Sequence, residues 1–192
     1  MAHQRYSKMS GGYWVWSGAE YFVTVKIAEK IRAAFKGEGW AVFLEEPLNY
    51  SDIRFRRGAP AKNERRSGRV DVAAYEKRDN AWSLRSIVEV KSGVAPSQCV
   101  SDIKRIVAVL EGLSEPAVGC FAFYSSHSGK NLERVKSTLR KRAESLQRLV
   151  VECAAGSKGK LVVEEASYKI TEDIAEDNDC YLAFAITIER EV

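Results

Sequence analysis

Residues 68–93, GRVDVAAYEKRDNAWSLRSIVEVKSG, decide how the chain folds. They form two β-like runs rich in valine, joined through a polar turn at Asp79 and Asn80. A hairpin centred on Asn80 pairs residues equidistant from that tip, since antiparallel pairing is symmetric about its turn. Asp71 is therefore expected opposite Glu89.

Strand side chains alternate, so Glu89 and Lys91 should project to one face while Val88 and Val90 project to the other. Asp71 joins the first group. Two carboxylates and an ammonium thus gather among β-branched residues, where like charges repel unless a cation lies between them. An all-oxygen pair suits Mg²⁺, with Mn²⁺ as a substitute, better than zinc. The lysine is placed to polarise water on such an ion or to stabilise charge on a phosphate, which makes phosphodiester hydrolysis the expected chemistry.

Asp71 followed by Glu89-Val90-Lys91 on adjacent strands resembles the active-site signature of the PD-(D/E)XK nuclease superfamily, the restriction-endonuclease-like fold. The resemblance implies an α/β protein with an αβββαβ core, a mixed central sheet flanked by helices, and divalent-metal cleavage of nucleic acid. It makes Asp71 and Glu89 metal ligands, the Val90 carbonyl a further ligand, and Lys91 the residue that activates water or stabilises charge. Val70 stands where the family's proline would be. That departure leaves the carboxylate, which does the chemistry, in place. Asp102-Ile103-Lys104 repeats the acid-x-lysine spacing but falls on a helix-period segment, so it is not assigned to the site. The competing structural reading is a solvated strand face with a cross-strand ion pair.

At 192 residues, 45% hydrophobic and 29% charged, the chain fits one well-buried domain spanning residues 1–192. Net charge is only +4, yet the distribution is uneven: residues 54–69 are basic and residues 164–179 acidic. A polyanionic partner on one side follows, with DNA placed ahead of RNA. Cys99, Cys120, Cys153 and Cys180 form no CxxC pair and read as reduced core thiols. No signal-peptide or membrane-spanning run is evident, so a cytoplasmic location with no membrane partner is expected.

Residues 1–12 read as a flexible N-terminal tail, residues 17–150 as the core, and residues 160–190 as a C-terminal β-hairpin with an acidic turn over residues 171–179. The first helix should present Val23, Ile27, Ile31 and Ala34 on one face. Glu20 lies near its start. It can serve as the additional acid that the family places beside the metal, or as the partner of Ser17 in a capping box. A strand at residues 40–45 ends at Pro47, with Glu45 or Glu46 available to lean toward the site.

Arg54, Arg56, Arg57, Lys62, Arg65, Arg66 and Arg69 then form a basic loop leading into the Asp71 strand, suited to clamping phosphates, with Tyr50 and Phe55 available to stack on bases. After the hairpin, a helix over residues 98–111 buries Val100, Ile103, Val107 and Leu110, and starts its polar face with Gln98, Asp102 and Arg105 near Lys91. Residues 117–124 read as a central strand, parallel to its neighbour through that helix. A long helix from about residue 130 to 150 follows.

The first functional reading is a metal-dependent endonuclease or exonuclease, a hydrolase acting on ester bonds. As a homodimer, two single-site subunits would cut both strands. The alternative is a non-catalytic module that binds nucleic acid or a protein on the same scaffold.

Overall fold

The computed structural model describes residues 20–35, 37, 39–47, 69–157, 161–172 and 179–190. The central hairpin is built from β2 (Arg69–Arg78) and β3 (Ala81–Ser92). Its loop is only two residues long: Asp79 and Asn80 take φ of 48° and 62°. Two-residue hairpins favour this left-handed geometry because its twist matches the strands, and Asp and Asn tolerate it better than most side chains.

That tight turn pairs Arg78 with Ala81 and Tyr75 with Leu84, a register centred between Asp79 and Asn80 rather than on Asn80. Between Tyr75 and Ala74 the register slips, and Ala74 faces Ser86. Arg85 is therefore the extra residue of a β-bulge. Beyond it, Val72 pairs with Val88, which is the pairing expected about Asn80. The register expected about Asn80 is thus reached at Val72–Val88 through a shorter turn corrected by a bulge, and the ladder ends there, one residue short of Asp71 and Glu89. Arg85 fastens that bulge: its Nε donates to Glu76 Oε2 at 3.0 Å, its Nη1 donates to the Pro116 carbonyl at 3.1 Å, and its Nη2 lies 2.9 Å from Glu115 Oε2.

β1 (Trp40–Pro47) pairs antiparallel with β2. A 3-10 turn (Pro96–Cys99) and helix α2 (Val100–Gly112) then carry the chain from β3 to β4 (Ala117–Ser128), which lies parallel to β3. With α1 (Glu20–Ala34) in front, the described elements through β4 follow the expected order αβββαβ. Helix α3 (Leu132–Ala155) follows, its start capped by Asn131 Oδ1, which accepts from the Arg134 amide at 2.9 Å.

The terminal region departs from a simple hairpin. The strand expected from residue 160 to 170 is two short strands, β5 (Leu161–Val163) and β6 (Ser167–Glu172), and both pair with β7 (Asp179–Arg190). Residues 173–178, most of the expected acidic turn, lie outside the described residues. β7 itself runs antiparallel to β4 along its full length. It is an inner strand, with Leu182, Phe184, Ile186 and Ile188 in the main core. The described sheet is seven-stranded, mixed and open, in the order β1-β2-β3-β4-β7-β5, with β6 also on β7.

Helices cover both sheet faces. Helices α2 and α3 pack on the face carrying Ile87, Phe121 and Phe123. Helix α1 covers Val72, Val88 and Val90 with Ala28, supported by the partly buried Val23, Ile27 and Ile31. Ala34, expected on that apolar face, is exposed, while Thr24 is buried. Its hydroxyl bonds back to the Glu20 carbonyl, which satisfies the polar atom within the helix. On the other face, a side chain at Gly119 would run into Ile106 and Leu110 of α2. The missing Cβ lets that helix sit close against the sheet.

Candidate active site

The site forms where the β2–β3 ladder ends. The ladder pairing ends at Val72 and Val88, and one residue further Asp71 Oδ2 accepts a hydrogen bond from the Val90 amide at 2.6 Å. A side-chain oxygen thereby satisfies the donor that the ladder leaves. A strand residue sends its N–H and C=O to the same side, so the Val90 carbonyl is directed toward the same strand.

Glu89 is 1% exposed and lies on the face beneath α2. That helix supplies the counter-charge. Arg105 Nη1 donates to Glu89 Oε1 at 2.6 Å and to the Arg69 carbonyl at 3.2 Å, while its Nη2 donates to Asp102 Oδ1 at 3.0 Å. Asp102 sits in the first turn of α2 and is 6% exposed.

Lys91, two residues along β3, completes the group. Its Nζ is 3.8 Å from Asp102 Oδ2 and 3.7 Å from Glu20 Oε1. Glu20 is held there by Ser92, whose Oγ donates to Glu20 Oε2 at 3.1 Å. Glu89, Arg105, Asp102, Lys91 and Glu20 thus form a chain of alternating acid and base, with Asp71 beside it.

Burial disfavours the charged form of each group, favouring a protonated carboxyl and a neutral amine. It pushes the Glu89 carboxyl from its ordinary 4.5 up to about 8; Arg105 pulls it down, while Asp71 and Asp102 add to the rise. Burial alone would lower Lys91, but Asp102, Glu20, Asp71 and Glu89 together hold its ammonium above the ordinary lysine value. Lys91 therefore carries a proton at neutral pH. It is suited to stabilising negative charge rather than to accepting a proton.

Nearby Cys99 is fully buried, and burial, with Asp102 adding to it, pushes its thiol up to about 11. It is a packing residue, not a nucleophile.

Of the residues expected at the site, Asp71, Glu89, Val90, Lys91 and Glu20 converge. Ser17, the other half of the expected capping box, lies outside the described residues, as do Arg54, Arg56, Arg57, Lys62, Arg65, Arg66, Tyr50 and Phe55. Arg69 is exposed at the start of β2. Glu45 is exposed, and Glu46 turns to the Tyr75 hydroxyl, which donates to it at 3.5 Å. It lines a separate cleft of about 420 Å³ with Phe43, Tyr75, Trp82, Leu84 and Leu113.

Asp102 and Arg105 bring more charge to the cluster than their position on a polar helix face declared. The legible signal was their spacing: three residues apart in the opening turns of the helix that follows Lys91, they project from one side. Gln98, the third residue of that face, instead accepts from the Ala95 amide through Oε1 at 3.0 Å and is exposed.

No family model, no curated protein and no solved structure matches the chain.

Among the described residues, no three of His, Cys, Asp and Glu converge as a metal-holding group. The acids do offer an oxygen-only pair. With Asp71 Oδ2 on the Val90 amide and Glu89 Oε1 on Arg105, each keeps a second oxygen without a hydrogen bond among the described residues. Two carboxylate oxygens beside a main-chain carbonyl suit a hard divalent cation. Four acids set against two cations also leave room for positive charge once Glu89 gives up its proton.

No described helix is long and apolar enough to cross a membrane.

Proposed function

We propose that the chain is a divalent-metal-dependent nuclease with a restriction-endonuclease-like core, hydrolysing phosphodiester bonds of DNA in preference to RNA. The observation that carries the proposal is the meeting of Asp71, Glu89 and Lys91 at one end of the hairpin, with Asp71 aimed by the Val90 amide. The αβββαβ order through β4 supports the same reading.

Asp71 and Glu89, with the Val90 carbonyl, would hold Mg²⁺, and Mn²⁺ would substitute. When bound, such an ion supplies positive charge that polarises a phosphate and makes water more acidic. The chain's own residues do the remainder. The Val90 amide fixes the rotamer of Asp71, while burial under α2 fixes Glu89. Lys91, kept cationic by its acidic neighbours, faces the charge that develops on the phosphate. Glu20 and Asp102 position that ammonium from opposite sides. Arg69 and the basic segment before it would meet backbone phosphates, and a homodimer would bring two such sites to opposite strands.

A second reading draws on Arg105, which already engages Glu89: a scaffold that binds nucleic acid or a protein without cutting it. The two part in one experiment. Plasmid, linear duplex, single strands and RNA are incubated with Mg²⁺ or Mn²⁺ against a chelator control. Metal-dependent products, strongest with DNA, are expected; salt-sensitive binding with no product under any metal would replace the nuclease with the binding module.

A further inference from the structure

The contacts of Arg105 differ from those of an ordinary supporting residue. Its guanidinium fork spans two acids, Glu89 at 2.6 Å and Asp102 at 3.0 Å, and a main-chain carbonyl at 3.2 Å. Glu89 is almost wholly buried, whereas the Arg105 side chain is 22% exposed. The acid is fixed in the sheet, and its partner sits at the rim on a long, flexible stem. A buried carboxylate stripped of its counter-charge is strongly disfavoured, so Glu89 sheds its proton only where a cation accompanies it.

We infer that Arg105 is an exchangeable counter-ion for Glu89, competing with a divalent cation for the same carboxylate. The inference rests on the metal-site reading above and adds a regulatory element to it. With no metal bound, Arg105 latches Glu89 and Asp102 and keeps the acidic cluster from repelling itself. A divalent ion at Glu89 brings twice the charge and displaces the guanidinium, which has an outward path to solvent. Metal affinity is therefore set by the difference between two cations, not by the ligands alone. Asp102 is the second anchor of the latch, which is why Arg105 returns to one geometry when the ion leaves.

The test measures Mn²⁺ binding to the full chain by calorimetric titration in the absence of nucleic acid, for the natural chain, Arg105→Met, Arg105→Lys and Glu89→Gln. Removing the competitor should tighten Mn²⁺ binding at least tenfold in Arg105→Met. Arg105→Lys should fall between, because a single ammonium cannot hold both acids as a fork does. Glu89→Gln should lose the binding. If the natural chain binds Mn²⁺ and Arg105→Met binds it no better, the latch is refuted while the metal site survives. If neither binds Mn²⁺, the metal-site reading falls and the latch with it. Should Arg105→Met fail to fold, Arg105→Lys decides alone: tighter binding supports the exchange, and unchanged or weaker binding overturns it.

Discussion

Asp71 spans the hairpin to the amide of Val90, its Oδ2 2.6 Å from the nitrogen. This contact replaces a rung of the β-ladder with a side chain, just where β2 and β3 stop pairing. It fixes the carboxylate of Asp71 beside Glu89 and leaves its other oxygen available among the described residues. An ordinary cross-strand ion pair on a solvated surface needs no such arrangement. Here Glu89 is buried and the charges of the cluster come from four separate elements, α1, α2, β2 and β3.

The first prediction concerns the three central side chains. Asp71→Asn, Glu89→Gln and Lys91→Met should each lower metal-dependent DNA cleavage by about 10²-fold or more, as removal of one charge-stabilising group in a preorganised site does. Circular dichroism should show the fold retained. Cleavage at the natural rate in any of the three removes that residue from the proposed chemistry.

Glu20 separates two roles by which quantity moves. Positioning Lys91 through its carboxylate at 3.7 Å, it should matter to rate: Glu20→Gln is expected to lower kcat about tenfold, or roughly 1.4 kcal/mol, with little change in thermal stability. A residue acting only as a helix cap would show the reverse, a lower melting temperature with unchanged kcat.

Stability should fall as pH rises through the range in which Glu89 titrates. Its carboxyl loses its proton near 8 in the fold against 4.5 ordinarily, so between these values the folded chain holds a proton that the unfolded chain has released. The contribution is complete below pH 4.5 and is lost as pH climbs through 8. Its size is on the order of a few kcal/mol. Urea unfolding in chelator, repeated across this range, should show the decline in the natural chain and a flatter profile in Glu89→Gln. Equal slopes would mean that another group carries the dependence.

Gly119 couples packing to the site. A Cβ there would meet Ile106 and Leu110, so Gly119→Ala should push α2 outward and cost about 1–3 kcal/mol in thermal or urea unfolding. Since Asp102 and Arg105 ride on that helix, Mn²⁺ affinity should change with it. An unchanged melting temperature would show that α2 has slack against the sheet.

Much of this arrangement was legible in the residues, for identifiable physical reasons. Valine-rich runs on either side of Asp79-Asn80 specify a hairpin, and alternation fixes which side chains share a face. The apolar segment from Ala117 is a central strand because both its faces are covered. The bulge at Arg85 was not legible, since nothing local distinguishes an extra strand residue from a paired one; its anchors, Glu76, Glu115 and Pro116, come together only in the fold.

The sequence showed β7 only as one arm of a C-terminal β-hairpin. Its place beside β4 follows from tertiary pairing and burial, which chain order does not encode. The spacing of Asp102 and Arg105 placed that arginine on the polar face near Lys91, but its partner Glu89 lies on another element and meets it only in the fold. The basic segment that leads into Arg69 lies outside the described residues, so its part in binding rests on composition and charge.

On this proposal Asp71 and Glu89 jointly hold a divalent ion next to Lys91. Anomalous diffraction from a crystal soaked in Mn²⁺ tests it most directly. A single strong peak is expected within coordination distance of both carboxylates and the Val90 carbonyl, with the Arg105 guanidinium turned away from Glu89. A fully soaked crystal with no peak between those two acids, and Arg105 still on Glu89, would contradict it.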